Sequence, residues 1–253
     1  MAHMPAAFIF ENVVGLVTMD GGSRTKRKGQ HDPTGDFTPG TTFTSIVDDL
    51  AACGYDVAWH VLNSREWLPQ CRERVYIVGF RSDLAVLEFP WAAVREGASG
   101  QATTLRHVLE EPASAAVRAC ELNAAQWEAV CAQNAVYPRW GGQPCTMAER
   151  TAAIDQKVPA LISSYHNCNS FTTKFVFEER DGSRRDTGER RPRFFTPREC
   201  ARLMGFPGSY VVPSAEHDAL LAAQWYRQIG NAVCPPVIQA IGTQVVRLLD
   251  GRK

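Results

Sequence analysis

The chain has 253 residues, 45% of them hydrophobic and 21% charged, proportions that suit a soluble globular protein of one large domain or two small ones. Lysine plus arginine equals aspartate plus glutamate at 27 each, so no global charge draws the chain to nucleic acid, and any basic surface has to be local. No apolar run approaches the ~20 residues of a membrane span, no secretory signal precedes the first apolar segment, and eight scattered cysteines show neither a C-x-x-C pair nor zinc-finger spacing. These features exclude a helical membrane protein and a zinc-finger module, and they predict a cytoplasmic location, reduced thiols and no metal.

Met1-Ala2-His3 reads as a short added leader ahead of a start at Met4. Residues 5–14 follow as a continuous apolar run with Glu11 and Asn12 near its end, the pattern of a strand buried on both faces of a parallel sheet. Its carboxyl end would project those two side chains into a ligand crevice. Residues 19–40 form a long loop rich in Gly, Pro and Asp, with the basic stretch Arg24 to Lys28 inside it. Phe43, Ile46, Val47 and Leu50 recur at helical spacing, and Gly54 closes that helix. Two β-rich runs, Tyr55 to Leu62 and Arg74 to Phe80, complete a strand-helix-strand-strand order.

From about 84 to 190 the pattern becomes irregular, with helical stretches around 104–133 and β-prone pieces at 158–165 and 171–178. The hydrophilic run Glu178 to Arg191 reads as an exposed loop or hairpin tip. A helix starts at Thr196, which is its N-cap, with Pro197 at the first helical position and Glu199 completing a capping box. The last helix covers about Pro235 to Leu249, apolar at Val237, Ile241, Val245 and Leu248.

Four short segments in fixed order carry a resemblance. They are Glu11-Asn12-Val13, the Gln-x-Arg-x-Arg run that opens Pro69 to Phe80, the run Arg191 to Pro207, and Gln228 to Val233 with its Gln-x-Gly-Asn-x-Val pattern. With about 110 residues between the second and third, where a variable recognition region would lie, this order resembles the C-terminal portion of a DNA cytosine-5 methyltransferase. The resemblance implies an α/β fold: a partial class I S-adenosylmethionine-dependent methyltransferase (Rossmann-like) sheet with an inserted irregular target-recognition domain. Residues 5–84 would be catalytic-domain sheet, 85–190 the recognition domain, and 191–253 its support plus the closing helix.

The family's chemistry explains the residue types. Cytosine C5 is too weak a nucleophile to take a methyl group unaided, so a thiolate adds at C6 and builds electron density at C5. That addition needs a proton or hydrogen bond at N3, which the family's glutamate supplies and which here falls to Glu11, with a carboxyl pKa raised by burial. The second arginine of Gln-x-Arg-x-Arg binds the base O2 in the family and corresponds to Arg74, with Asn12, Gln70 and Arg72 in support. The base reaches these groups by leaving the duplex.

Asn231, Ala232 and Val233 are the candidates for contact with S-adenosylmethionine; many relatives carry Ser where Ala232 stands. Candidates for DNA contact are Arg24, Lys26, Arg27 and Lys28 in the first loop, and Ser170, Thr172, Thr173 and Lys174 in the recognition region.

The family's nucleophile lies in a Pro-Cys-Gln loop and its cofactor cradle in a Phe-x-Gly-x-Gly turn, and the 253 residues contain neither. The first strand would then present an apolar edge open to association. Two explanations stand: a split enzyme whose second polypeptide supplies both motifs, or a non-catalytic DNA-binding or regulatory fragment. Self-association through the first strand is the other partner expected, beside double-stranded DNA. A third reading keeps the fold and changes the polymer to tRNA, whose methylating branch carries Cys-Phe-Thr; here Cys168 is separated from Phe171-Thr172, which ranks RNA below DNA.

Overall fold

The protein is described by a computed structural model covering residues 3–25, 37–86, 88–98, 103–136, 147–168, 173–177, 191–213 and 219–251. It divides into two compact units, one of residues 1–67, 72–101 and 236–253, the other of 68–71 and 102–235. Residues 191–235 thus group with the irregular middle of the chain, and the last helix returns to the sheet. Among the described residues, no single helix is long and apolar enough to cross a membrane.

The first unit is built on three strands, β1 (Ala7–Val13), β4 (Tyr55–Asn63) and β6 (Glu73–Arg81), in the order β1-β6-β4. Both pairings are antiparallel, which corrects the expectation of a parallel, doubly buried first strand. The apolar run was legible, but β1 has β6 as its neighbour on one side only among the described residues, so Phe10 remains 49% and Val13 52% exposed. Strand β6 is the doubly flanked one, and its Val75 to Phe80 are all buried. At Gly79 a Cβ would fall 2.2 Å from the Phe8 ring, so the missing side chain is the space into which β1 packs its aromatic.

Helix α1 (Thr41–Ala52) covers the core-facing side of this sheet. Phe43 packs fully buried with Val17, Val61, Val75 and Ile77, and its ring meets Trp59 edge-on at 5.0 Å. The helix stops where Gly54 takes φ +89°, as its glycine predicted. Between β1 and α1, β2 (Ser23–Arg24) and β3 (Phe37–Thr38) form a short antiparallel pair. Its base is tight: Gly40 donates to the Val17 carbonyl at 2.8 Å, and a Cβ there would overlap the Met19 carbonyl oxygen. Helix α2 (Trp91–Glu96) and the body of α8 (Pro235–Asp250) complete the unit.

The second unit holds α3 (Ala115–Ala119), α4 (Ala124–Val136), α5 (Met147–Arg150), α6 (Pro197–Leu203) and α7 (Ala219–Asn231). Its β-structure is slight: β5 (Gln70–Cys71) runs parallel to β7 (Val158–Pro159), and single bridges join Thr151 to Phe175 and Val176 to Arg193. Helix α6 begins as its sequence dictates. The Thr196 hydroxyl accepts from the Glu199 amide, and the Glu199 carboxylate accepts in return from the Thr196 amide. Helix α7 was not anticipated, although Ala222, Tyr226 and Ile229 are buried at i, i+4, i+7 along it.

Glu199 does more than cap. It is wholly buried and takes a two-pronged Arg193 guanidinium at 2.7 and 3.0 Å, together with the Glu110 amide at 2.8 Å. Around it lies an aromatic cluster of Tyr165, Phe175, Phe194, Phe195 and Tyr226. Burial pushes the Tyr165 and Tyr226 hydroxyls well above their ordinary pKa, so both stay neutral donors, to the carbonyls of Lys174 and Phe195 respectively.

Removing one member of such a pair leaves the other charged and dry. Arg193→Ala is expected to cost about 3–5 kcal/mol, read from the shift of the denaturant midpoint at unchanged slope. Arg106→Ala, which breaks an ion pair with Asp155 whose side chains are 59% and 72% exposed, should cost under about 1 kcal/mol. Similar losses in the two variants would refute this account of the buried carboxylate.

Candidate active site

The antiparallel register of β1 and β6 sets Glu11 opposite Tyr76 and Val13 opposite Arg74. Because side chains alternate along a strand, Glu11 and Arg74 are diagonal neighbours on one face. Arg74 Nε lies 3.1 Å from Glu11 Oε1, with each side chain only 14% exposed. The contact is an ion pair rather than a directed hydrogen bond, since Glu11 Oε1 is buried and meets no donor at hydrogen-bonding angles. Arg74 is held from behind by its Nη1, which donates to the Glu73 carbonyl at 2.7 Å.

Burial raises the Glu11 carboxyl pKa, and the charges of Arg74 and Arg72 oppose that rise without cancelling it. A carboxyl poised in this way can give a proton or a hydrogen bond to a ring nitrogen, while the guanidinium beside it can receive developing negative charge on an exocyclic oxygen. Arg72 is buried, and its carbonyl accepts from the Ser64 amide at 3.0 Å. Asn12 is exposed at the end of β1, and its Oδ1 accepts from the Val13 amide at 2.8 Å.

Gln70 belongs to the other unit. It is fully buried; its Nε2 donates to the Leu203 carbonyl at 3.1 Å and its Oε1 accepts from the Leu161 amide at 2.7 Å. Both ends of the amide are therefore committed to joining the end of α6 to the segment after β7. This makes Gln70 a brace of that unit.

The DNA-contact candidates separate in the same way. Arg24 is engaged by Glu73 through two bonds of 2.8 and 2.9 Å and lies over the Phe37 ring. Thr173 is buried, its hydroxyl between the carbonyls of Tyr165 and Asn167, which removes it from the surface where a phosphate could reach it. The Lys174 ammonium donates to the Glu149 carbonyl. Lys26, Arg27, Lys28, Ser170 and Thr172 lie outside the described residues.

Asn231 and Val233 are exposed where α7 ends, and Ala232 is half-buried there. The glycine just before them has a structural cause. A Cβ on Gly230 would stand 2.3 Å from the Ile162 carbonyl carbon and 2.5 Å from the Ser163 amide, so α7 reaches that backbone only without a side chain. An amide and an apolar edge exposed at a helix end fit one side of a nucleoside-like ligand, and contact by these three residues would be limited to that edge. Burial raises the thiol of Cys120 to about 11 and that of Cys200 well above its ordinary value, which makes neither an activated nucleophile.

The three-stranded antiparallel sheet with its part-buried Glu–Arg pair, and the irregular second unit, each by itself, have a likeness of fold among solved methyltransferases. The solved structure of S. pombe Dnmt2 methyltransferase matches 98% of this chain and 68% of its own at a TM-score of 0.66 and 17% identity, a likeness of fold. The family model for C-5 cytosine-specific DNA methylase matches residues 1–247, and the chain belongs to that family, whose methyl donor is S-adenosylmethionine. Type II methyltransferase M.BsuFI of Bacillus subtilis is 30% identical over 97% of this chain and 49% of its own length. For M.NlaX of Neisseria lactamica the figures are 32%, 99% and 66%. The chain thus spans about half to two thirds of the length of these curated relatives.

Glu11 binds a proton more readily in the folded than in the unfolded chain, so its stabilising contribution is complete below about the ordinary value of 4.5 and is lost as pH rises through the elevated folded value. Glu11→Gln does not titrate and should therefore gain in melting temperature relative to the native chain from acid to neutral pH. Paired thermal melts across that range check this, and a flat or reversed difference refutes the raised value. Gly230→Ala should cost about 1–3 kcal/mol or more by overpacking, read in a denaturant titration, because backbone and not a flexible side chain blocks the new methyl.

Proposed function

We propose that this chain supplies the base-holding and target-recognition portion of a DNA cytosine-5 methyltransferase that acts on a cytosine flipped out of the duplex. The observation that carries this reading is the half-buried Glu11–Arg74 pair, with its raised carboxyl, where the end of β1 meets the start of β6. Glu11 protonates or hydrogen-bonds N3 as a thiolate adds to C6, and Arg74 holds O2 as charge moves onto it. S-adenosylmethionine supplies the methyl group. Asn231, Ala232 and Val233 are the residues of this chain assigned to its side of the site, and Asn12 and Arg72 support the pair, whereas Gln70 braces the second unit.

The nucleophilic cysteine and the cofactor cradle lie, in this proposal, outside these 253 residues, in a further segment or a second polypeptide. Among the described residues the outer edge of β1 has no strand partner, and Phe10 and Val13 are exposed beside it, which supports a strand docking there. The basic first loop and the recognition unit would contact DNA, in the manner of modification enzymes such as the type II relatives.

Transfer of labelled methyl from S-adenosylmethionine to unmethylated duplex DNA tests this, first with the chain alone and then with an extract of its source cells. Activity only with extract is expected. In the complemented enzyme, Glu11→Gln and Arg74→Ala should each lower kcat by about 100-fold or more while DNA affinity changes little. Equal losses of turnover and binding would overturn the catalytic roles, and silence in both mixtures from a folded, DNA-binding chain would establish a non-catalytic binding fragment instead.

A further inference from the structure

The hydrogen bonds at the ends of the sheet fix which cross-strand pairs bring side chains closest together. Arg81 donates its amide to the Ala6 carbonyl at 3.0 Å, which makes that pair, and every second pair after it along the β1–β6 ladder, hydrogen-bonded. Glu11 and Tyr76 face each other and fall on a non-hydrogen-bonded pair, the kind in which opposing side chains stand nearest. On its other flank Tyr76 is opposite His60. The Ser64 amide donates to the Arg72 carbonyl at 3.0 Å, and by the same count Tyr76 and His60 are a hydrogen-bonded pair. The backbone of Tyr76 is thus anchored to β4, while its side chain leaves the sheet closer to Glu11.

The Glu11 side chain is only 14% exposed, although little on its own strand covers it. Its neighbours along β1 on that face are Ile9, half-buried, and Val13, which is itself exposed, and among the described residues no strand lies beyond β1. On the β6 side stand Arg74, diagonally placed, and Tyr76, directly opposite and 3% exposed. Arg74 brings charge; Tyr76 brings apolar bulk. Loss of water outweighs the charges of Arg74 and Arg72 in setting the protonation of Glu11, so the group that excludes the water is decisive.

We propose that Tyr76 is a positioning residue for Glu11: its ring, and not its hydroxyl, closes the β6 side of the carboxyl to water. A carboxyl enclosed in this way keeps its proton for the base. That catalytic part rests on the function proposed above, whereas the exclusion of water does not. The other titratable groups facing Glu11 are Arg74, Arg72 and, in the same row, His60, about 10 Å away across two strand spacings with its ring stacked on Trp91.

Three variants of the chain alone separate the cases, each followed by the carbon-13 resonance of the Glu11 carboxyl. Tyr76→Phe should leave the titration where it is. Tyr76→Thr should move it to lower pH, because readmitted water favours the carboxylate; the same water weakens the pull of Arg74 and Arg72, but that opposing effect is the smaller. Val78→Ala, opposite Ile9 on the same face, loosens the sheet one row away and should leave Glu11 unmoved. Tyr76→Leu keeps apolar bulk without the ring; it serves where Tyr76→Thr does not fold, and it should move the titration the same way by less. In the complemented enzyme, Tyr76→Thr should lower kcat at neutral pH about tenfold with KM for DNA little changed, and the alkaline fall of kcat should begin at lower pH.

A titration moved to higher pH in Tyr76→Phe would overturn the proposal in favour of a hydroxyl that donates to the carboxylate. An unmoved Glu11 in Tyr76→Thr, or in Tyr76→Leu where the first is unfolded, would overturn it outright. An equal movement in Val78→Ala would replace it with a general loosening of the sheet. If no complementing activity is found, the titrations still decide this inference, and the failure belongs to the proposed function alone.

Discussion

A carboxylate taken out of water must be given donors on every side, and the way Glu199 receives them organises the second unit. Its two oxygens accept from the Arg193 fork, from the Thr196 amide at the start of α6, and from the Glu110 amide nearly ninety residues earlier in the chain. Arg193 in turn bridges to Val176 through the backbone, and Phe194 and Phe195, which follow it in the chain, enter the aromatic cluster. A region with little regular β-structure thereby acquires one fixed arrangement, because few other placements of those segments would satisfy the buried charge. This explains why so irregular a stretch still packs a dense core.

In the first unit the comparable constraint is the central position of β6. It is flanked on both sides, so its backbone is fully committed and its side chains are sorted strictly by parity. One face places Arg74 against Glu11, and the other places Glu73 against Arg24. Two oppositely charged residues in succession can therefore serve two different partners without exchanging them. The alternating Arg-Glu-Arg of the Gln-x-Arg-x-Arg segment, which on paper suggests local surface pairing within the triplet, is resolved into contacts forty-nine and sixty-three residues away.

Much of the fold was legible because it is local. The capping box at Thr196, the stop at Gly54, the spacing of α1 and the last helix each depend on residues a turn or less apart, and all appear where the sequence placed them. Helix α7 has a helical spacing of its own in Ala222, Tyr226 and Ile229, which are its buried positions. The candidate site was legible as residue types in order. What was not legible was partnership: that Gln70 turns inward to the carbonyl of Leu203, that Thr173 is buried, and that Arg24 is already occupied. Each depends on which face of an element points where, and a shift of one residue in register would reverse it.

By itself the sequence determined the family and the chemical kinds of group at the site, since motif order, a carboxyl beside an amide, and two arginines at i and i+2 are properties of the chain read along its length. The tertiary structure alone decided the antiparallel setting of β1, the burial that raises the Glu11 carboxyl, and the choice of Arg74 as its partner. The reason is physical. A residue's identity is written in one dimension, whereas its protonation and its ion-pair partner depend on how much water is removed and which charges are brought within a few ångströms, and only folding sets those two quantities.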